Sequence, residues 1–336
     1  MLHPGPFAGV TVLGECVADL LEDPSRSTPD GLTLRALPGG GPANTAVALA
    51  RLGTPTRFLG RLSDDAFGSL FRARLTSSGV DLTGSVTAAE PSTLAVADLD
   101  PSGQATYTFY ADGAADWQWT DHELAAAPGD DAACLHTGSL ALVRQPGGNR
   151  IERHLTRARK HATVSIDPNV RPLLVPPSAY RERLPHWCAV ADILRLSEED
   201  CAHLAPGAGL EAACDTWHAA GTRLVVITLG ERGALVSLDG SRVTVPAPSV
   251  TVVDTVGAGD SFTAGLLHHL GALGHLGGRL EALTLEDAAG AAVFGARVAA
   301  LTCSVSGANP PRADEPGLRS AWHGSGHVHG PEGHPA

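Results

Sequence analysis

Lysine is nearly missing from this chain: Lys160 is the only one among 24 lysines and arginines. A Walker-type loop needs Gly-Lys-Ser/Thr and a protein-kinase site needs a strand lysine, and neither pattern occurs. Any phosphate bound here must therefore be held by backbone amides and arginine. Positive charge is scarce overall, with a formal net charge of −12 and a pI near 5.6, which argues against a nucleic-acid surface. A local cradle can still bind an anion within an acidic protein. The six cysteines (16, 134, 188, 201, 214 and 303) include no Cys-x-x-Cys pair and read as reduced thiols of a cytoplasmic protein. His186, Cys188, Cys201, His203, Cys214 and His218 are of zinc-binding type, but their irregular spacing predicts no zinc site. No apolar run is long enough to span a bilayer. With no Lys or Arg before Arg26, no secretory signal is expected.

A chain of 336 residues, 43% hydrophobic, can bury one large α/β core or two smaller ones. One stretch organises it. Val250 to Val253 is a β-branched apolar run, glycines follow at 257 and 259, and Phe262, Leu266 and Leu270 recur at helical spacing. That pattern predicts a strand, a tight turn and a helix. Without Cβ atoms at 257 and 259, a ligand can reach the backbone, and the amides of Ala258, Gly259 and Asp260 can converge on an anion. A carboxylate at 260 is unfavourable beside a phosphate unless it has chemical work there, such as taking a proton from an attacking hydroxyl. The turn alone is equally compatible with a helix start that binds nothing, because Asp is common in a first turn.

The residues at 254–262, Asp-Thr-Val-Gly-Ala-Gly-Asp-Ser-Phe, resemble the C-terminal signature of the PfkB family of sugar kinases, which includes ribokinase and fructokinase. Gly39-Gly40-Gly41-Pro42-Ala43-Asn44-Thr45-Ala46 resembles the same family's N-terminal signature, and the two occur in the expected order. The resemblance spans about residues 10 to 311. It implies an α/β fold of ribokinase-like type, a three-layer α/β/α sandwich with a small β-sheet lid. The lid strands are expected from about 16–37 and 91–112 of a single domain, 1–311, that dimerises through the lid. It also implies ATP, Mg²⁺ and a small-molecule sugar as ligands, with Asp260 as the base and Gly257, Ala258 and Gly259 forming the anion hole. Asp19, Gly39, Gly40 and Asn44 are placed on the sugar by the same resemblance. Asp254 and the Val256 carbonyl, with the closing loop, are the matching place for a monovalent cation such as K⁺.

Along the chain, Val10 to Gly14 reads as a first buried strand, and Leu32 to Leu37 alternates like a half-exposed one. Pro42 suits a first helical position, Ala46 to Leu52 gives an apolar face, and Gly53 ends that helix. Thr93–Leu99 and Ala105–Tyr110 flank Asp100-Pro101-Ser102-Gly103, a hairpin pattern. Fructokinase-like sequences carry an arginine after the Phe-Tyr of this hairpin, whereas Ala111 stands here, so a lid contact to substrate is expected to be changed. Trp117 and Trp119 read more readily as packing than as a ligand platform.

From residue 133 the alternation of strand and helix is regular. Asp167-Pro168-Asn169-Val170-Arg171 follows a strand and resembles the DPN-x-R of fructokinase-like and ketodeoxygluconate-kinase-like members. Arg171 is the candidate to steady phosphate charge or a substrate carboxylate, and a surface pair with Asp167 is its plain alternative. Ser197 and Asp200 stand where the family has an Asn-x-x-Glu element that organises Mg²⁺ through water, so the resemblance gives Asp200 a Mg²⁺ role through water, while capping of a helix accounts for both residues. Thr228, Gly230 and Gly233 form a turn similar to the family's ATP-phosphate loop. With Asn169 and Asn309, which belongs to a closing loop, they are assigned to ATP. Residues 312–336, rich in Pro, Gly and His, are expected as a mobile tail.

The expected reaction is transfer of the γ-phosphate of ATP to a primary hydroxyl of a small sugar, fructose first. 2-Keto-3-deoxygluconate, ribose and a nucleoside are the alternatives. A sugar-binding regulator on an inactive kinase fold is the rival from another class. Neither a nucleic-acid nor a membrane partner is expected.

Overall fold

In the computed structural model, which describes residues 9–99, 105–128 and 131–319, the short apolar runs become strands of one large sheet. In chain order the strands are β1 (Val10–Leu13), β2 (Val17–Glu22), β3 (Leu34–Gly39), β4 (Thr56–Leu59), β5 (Arg61–Ser63), β6 (Val86–Ala88) and β7 (Thr93–Leu99). They continue as β8 (Ala105–Tyr110), β9 (Cys134–Gly138), β10 (Thr163–Asp167), β11 (Ile193–Ser197), β12 (Leu224–Thr228), β13 (Ala234–Leu238) and β14 (Ser241–Val245). The helices are α1 (Gly41–Arg51), α2 (Ala66–Ser77), α3 (Asp121–Ala126), α4 (Ser139–Val143), α5 (Gly147–Ala158) and α6 (Pro177–Val190). After these come α7 (Glu198–Leu204), α8 (Leu210–Ala219), α9 (Ala258–Ala272), α10 (Leu285–Cys303) and α11 (Pro316–Arg319).

The large sheet has the order β14-β13-β12-β11-β10-β9-β1-β4. It is parallel from β12 to β4, and β13 and β14 add an antiparallel edge. β1, β9 and β10 are buried along their whole length, as parallel strands covered on both faces must be. Alternate side chains serve opposite cores: Val226 packs with α1, α2, α9 and α10, while Val225 and Ile227 pack with α3 to α8. The result is the expected three-layer α/β/α arrangement.

A second sheet, β3-β2-β7-β8, stands beside the C-terminal edge of the first. β2 and β7 pair in parallel and each carries an antiparallel partner. On β2 the period of two sends Ala18 and Leu20 into the core and leaves Val17 and Asp19 facing a cavity. The turn residues Asp100-Pro101-Ser102-Gly103 lie outside the described residues.

Two expectations are corrected. Val250 to Val253 is not a strand: Val252 and Val253 are about 60% exposed, and the segment after β14 is irregular. Pro246 and Pro248 lack amide donors, and the backbone turns to the end of α10 instead, where Val253 and Asp254 donate to the Cys303 carbonyl at 2.8 and 3.2 Å. The tail does not begin at 312 either. Ala313 donates to the Arg51 carbonyl at 2.9 Å, and Leu318, 3% exposed, packs into the core beside α10. The rest of the expected tail, 320–336, lies outside the described residues.

Candidate active site

β1 has β4 on one side and β9 on the other, so the connections leaving the strand ends diverge there, the usual place for a ligand crevice. Two cavities open along this edge. One, of about 480 Å³, lies between the two sheets and meets Glu15, Asp19, Asn44, Phe109, Asn169 and Asp260. The other, of about 530 Å³, meets Thr228, Gly230, Gly233, Val250, Phe262 and Ala300. Arg195, Thr255 and Gly259 line both. The first turn of α9 is thus the wall between them.

That turn is set by Gly257, whose φ of 77° lies in the left-handed region and delivers the chain into α9. The Ala258 amide donates to the Thr255 carbonyl at 3.2 Å, so it is engaged rather than open as expected. Among the described residues no carbonyl takes the amides of Gly259 and Asp260, as befits a helix start. Asp260 accepts from Asn44 Nδ2 at 2.9 Å. Burial raises its carboxyl to about 6, with Asp167 adding to the rise and Asn44, Arg171 and Arg195 opposing it.

The other expected residues divide. Asp19 faces the inter-sheet cavity, and burial raises its carboxyl to about 6. Its carboxylate fills the space that a Cβ on Gly39 would need. Gly40, at φ 102°, caps α1 with the Glu15 carbonyl 2.6 Å from where its Cβ would stand. Arg171 lines the same cavity and does not pair with Asp167; its Nη1 donates to the Val170 carbonyl at 3.2 Å. Thr228, Gly230 and Gly233 line the second cavity as the ATP assignment requires. Asn169 does not: it sits in the inter-sheet cavity with Asp260, in a left-handed conformation at φ 42°.

Asn309 is also misplaced by the sequence. It is exposed, its Oδ1 accepts from Arg51 Nη1 at 2.7 Å, and it borders neither cavity. Asp200 has both oxygens occupied by protein: Oδ2 takes the Ser197 amide and hydroxyl at 3.0 and 2.6 Å, and Oδ1 takes the Val170 amide at 2.7 Å. It caps α7 and holds the 169–171 loop, and it lines neither of the two cavities. Asp254 accepts the amides of Val256 at 3.0 Å and Gly307 at 2.8 Å, tying the α9 turn to the closing loop.

Sequence reasoning passed over Arg195. Its Nη1 bonds Asp167 Oδ2 at 2.7 Å and its Nη2 bonds Thr228 Oγ1 at 2.8 Å, while the guanidinium lies against Gly259 and over the Phe262 ring. An arginine inside the apolar run Ile-Leu-Arg-Leu was the available signal. Glu15, 1% exposed just after β1, was another. Trp117 and Trp119 are core residues, as the packing reading holds. Ala111 is buried with them, its carbonyl accepting from Trp117 Nε1 at 2.7 Å, and the next residue, Asp112, pairs with Arg144. Ala111 is thus drawn into the core and away from the cavity, which Tyr107 and Phe109 of β8 line instead.

Residues 8–315 match the pfkB family of carbohydrate kinases. The chain belongs to that family. This pfkB kinase is 38% identical over 258 residues to a fructokinase of Rhizobium leguminosarum bv. trifolii, covering 76% of the chain and 78% of the relative. Its fold is similar to fructokinase of Vibrio cholerae O395 bound to fructose, ADP and calcium, with a TM-score of 0.76 and 29% identity over 89% of this chain and 94% of that one. It is likewise similar to fructokinase of Xylella fastidiosa with bound ATP, with a TM-score of 0.81 and 26% identity over 93% and 96% of the two chains. The pfkB kinase therefore has the ribokinase-like fold and is a phosphotransferase with an alcohol acceptor.

Proposed function

We propose that this kinase transfers the γ-phosphate of ATP to a primary hydroxyl of fructose. The observation that carries it is the shared wall: Gly259 and Arg195 border both cavities, and Asp260 faces the inter-sheet one. Fructose in that cavity and ATP in the other would meet at the open amides of α9. The similarity to bacterial fructokinases supports the choice of sugar.

In this reading Asp260, ionised above about pH 6, takes the hydroxyl proton as the oxygen attacks phosphorus. The amides of Gly259 and Asp260 and the Arg195 guanidinium hold the transferring group where charge develops. Asp19 accepts from the sugar's hydroxyls, Asn44 orients Asp260, and the small sheet covers the sugar and keeps water from competing. Among the described residues no three His, Cys, Asp or Glu gather into a metal cluster, which suits Mg²⁺ held chiefly by phosphates and water. Mg²⁺ supplies neutralisation of phosphate charge. Each Asp254 oxygen keeps a free lone pair beyond its one amide, so that carboxylate with the Val256 carbonyl fits K⁺.

Exposed Leu32, Leu34 and Tyr110 on or beside the small sheet support a dimer through it. No helix among the described residues is long and apolar enough to cross a membrane, in keeping with a cytoplasmic enzyme. Arg171, unpaired with Asp167 in the sugar-side cavity, favours 2-keto-3-deoxygluconate as the second reading, since that carboxylate needs a cation. The test is ADP release with MgATP across fructose, 2-keto-3-deoxygluconate, ribose, glucose and adenosine, with Asp260→Asn alongside. Fructose should be used best and Asp260→Asn should lose about 10²–10⁴-fold in turnover. A silent fructose arm with a strong ketodeoxygluconate arm transfers the assignment, and near-normal turnover by Asp260→Asn removes the base.

A further inference from the structure

Beneath the sugar-side cavity, between α1 and the ends of β9 and β10, lies a small space of about 10 Å³, room for one water. Thr45, His136, Ser139, Asn169 and two carboxylates, Asp167 and Asp260, meet it. Asp167 is 6% exposed. Its Oδ2 accepts from Arg195 Nη1 at 2.7 Å and Thr263 Oγ1 at 3.5 Å, whereas its Oδ1 is buried without a partner. A buried carboxylate oxygen is ordinarily satisfied, and a water in this space would satisfy it while touching Asp260.

We propose that a water in this space passes the proton taken by Asp260 on to Asp167 Oδ1. The inference rests on Asp260 being the base. As the new O–P bond forms and the bond to the ADP oxygen breaks, the sugar O–H proton moves to Asp260. An Asp260 proton then moves to the water as a water proton moves to Asp167. One proton is relayed over two O–H transfers, and no electrons leave the system. Asp167 becomes neutral at that moment. Its partner Arg195, which borders both cavities, then turns its whole charge toward the phosphates. After product release the proton returns by the same water to the opened cavity.

The groups facing Asp167 suit this role. From β11 comes Arg195 and from the 169–171 loop Arg171, both favouring the ionised form, whereas Asp200 on α7 opposes it; burial is the largest influence and raises the carboxyl. His136 on β9 bonds Ser165 Oγ at 3.0 Å, and burial drives it down to about 3, so it stays neutral and does not compete for the proton. Asp260 on α9 is the donor.

The test is single-turnover transfer from MgATP to fructose, by rapid quench in mixtures of light and heavy water, for wild type, Asp167→Asn, Thr45→Val and Asp260→Asn. With O–P transfer reversible on the enzyme, the relay is the step that commits it, and the two protons moving in that step give the wild-type rate a curved dependence on deuterium fraction. Asp167→Asn should slow transfer by about 10- to 100-fold, straighten that dependence and leave fructose affinity within about twofold. Thr45→Val keeps the Asp167–Arg195 pair and removes the hydroxyl that borders the space and donates to the Asp260 carbonyl at 3.4 Å, and it too should straighten the dependence. Wild-type curvature in a folded Asp167→Asn means that Asp167 merely anchors Arg195, and overturns the relay. If Asp167→Asn does not fold, wild-type curvature in Thr45→Val overturns it. Asp260→Asn separates the two failures: if it is active, base and relay fall together, and if it is inactive while the other variants keep the curvature, the relay alone falls.

Discussion

Asn44 Nδ2 donates to Asp260 Oδ2 at 2.9 Å, across 216 residues of sequence. The bond joins the two signature stretches, one on α1 and one on α9, and it stabilises the ionised form of the carboxyl. Asn44→Ala removes that stabilisation, so Asp260, already at about 6, rises further. A base works ionised, and below its pKa the rate falls about tenfold per pH unit. The acid limb of kcat/KM should therefore sit near pH 6 in the wild type and move to higher pH in Asn44→Ala. An unmoved limb would assign it to another group.

Arg195 holds Asp167 and Thr228 with two separate nitrogens, a fork that lysine cannot reproduce. Arg195→Lys should keep the fold and lower kcat/KM for MgATP by about tenfold. Arg195→Ala leaves a buried carboxylate unpaired and should cost about 3–5 kcal/mol of stability at neutral pH. The cost should shrink as the pH falls, because Asp167 can then take a proton. Denaturant midpoints at two pH values measure it, and an unchanged midpoint at neutral pH counts against the pair.

Glu15 lies beneath the sugar-side cavity, 1% exposed, with its Oε2 accepting the Ala141 amide at 3.2 Å. Burial first, with Asp116 adding, pushes its carboxyl up to about 7 from 4.5, against a bond from Ser139. The folded state therefore binds the extra proton between pH 4.5 and 7. Its stabilising contribution is complete below 4.5 and is lost as pH rises to 7, at up to about 1.4 kcal/mol per unit. Glu15→Gln has no proton to lose. Its Tm relative to wild type should rise from pH 5 to pH 8, and a constant difference would show that the carboxyl is not held protonated.

What could be read from the sequence was local. Gly257 to Asp260 and Gly39 to Asn44 carry their backbone geometry in their own composition, and β12, Leu-Val-Val-Ile-Thr, announces a buried strand by being apolar without alternation, whereas β9 and β10, with His136, Ser165 and Asp167, are as buried without that signal. Asn169 and Asn309 show where such reading fails. Both are polar loop residues near strand or helix ends, yet one turns toward Asp260 and the other is taken by Arg51. Asp200 was read as a cap and is one, but that its second oxygen anchors Val170 depends on β10 and β11 lying side by side.

The sequence by itself determined the family, the α/β layers and the placing of Asp260 at a helix start, because short-range spacing and turn chemistry decide those. Only the tertiary structure decided that Val250 to Val253 is irregular, with Val250 and Val252 lining a cavity, rather than a strand, since strand pairing needs a neighbour with free backbone groups and β14 has already ended. It alone brought Arg195, Asp167 and Asp260, on three different elements, around the wall between two cavities. Their partnership is a matter of distance through space, and no spacing along the chain encodes it.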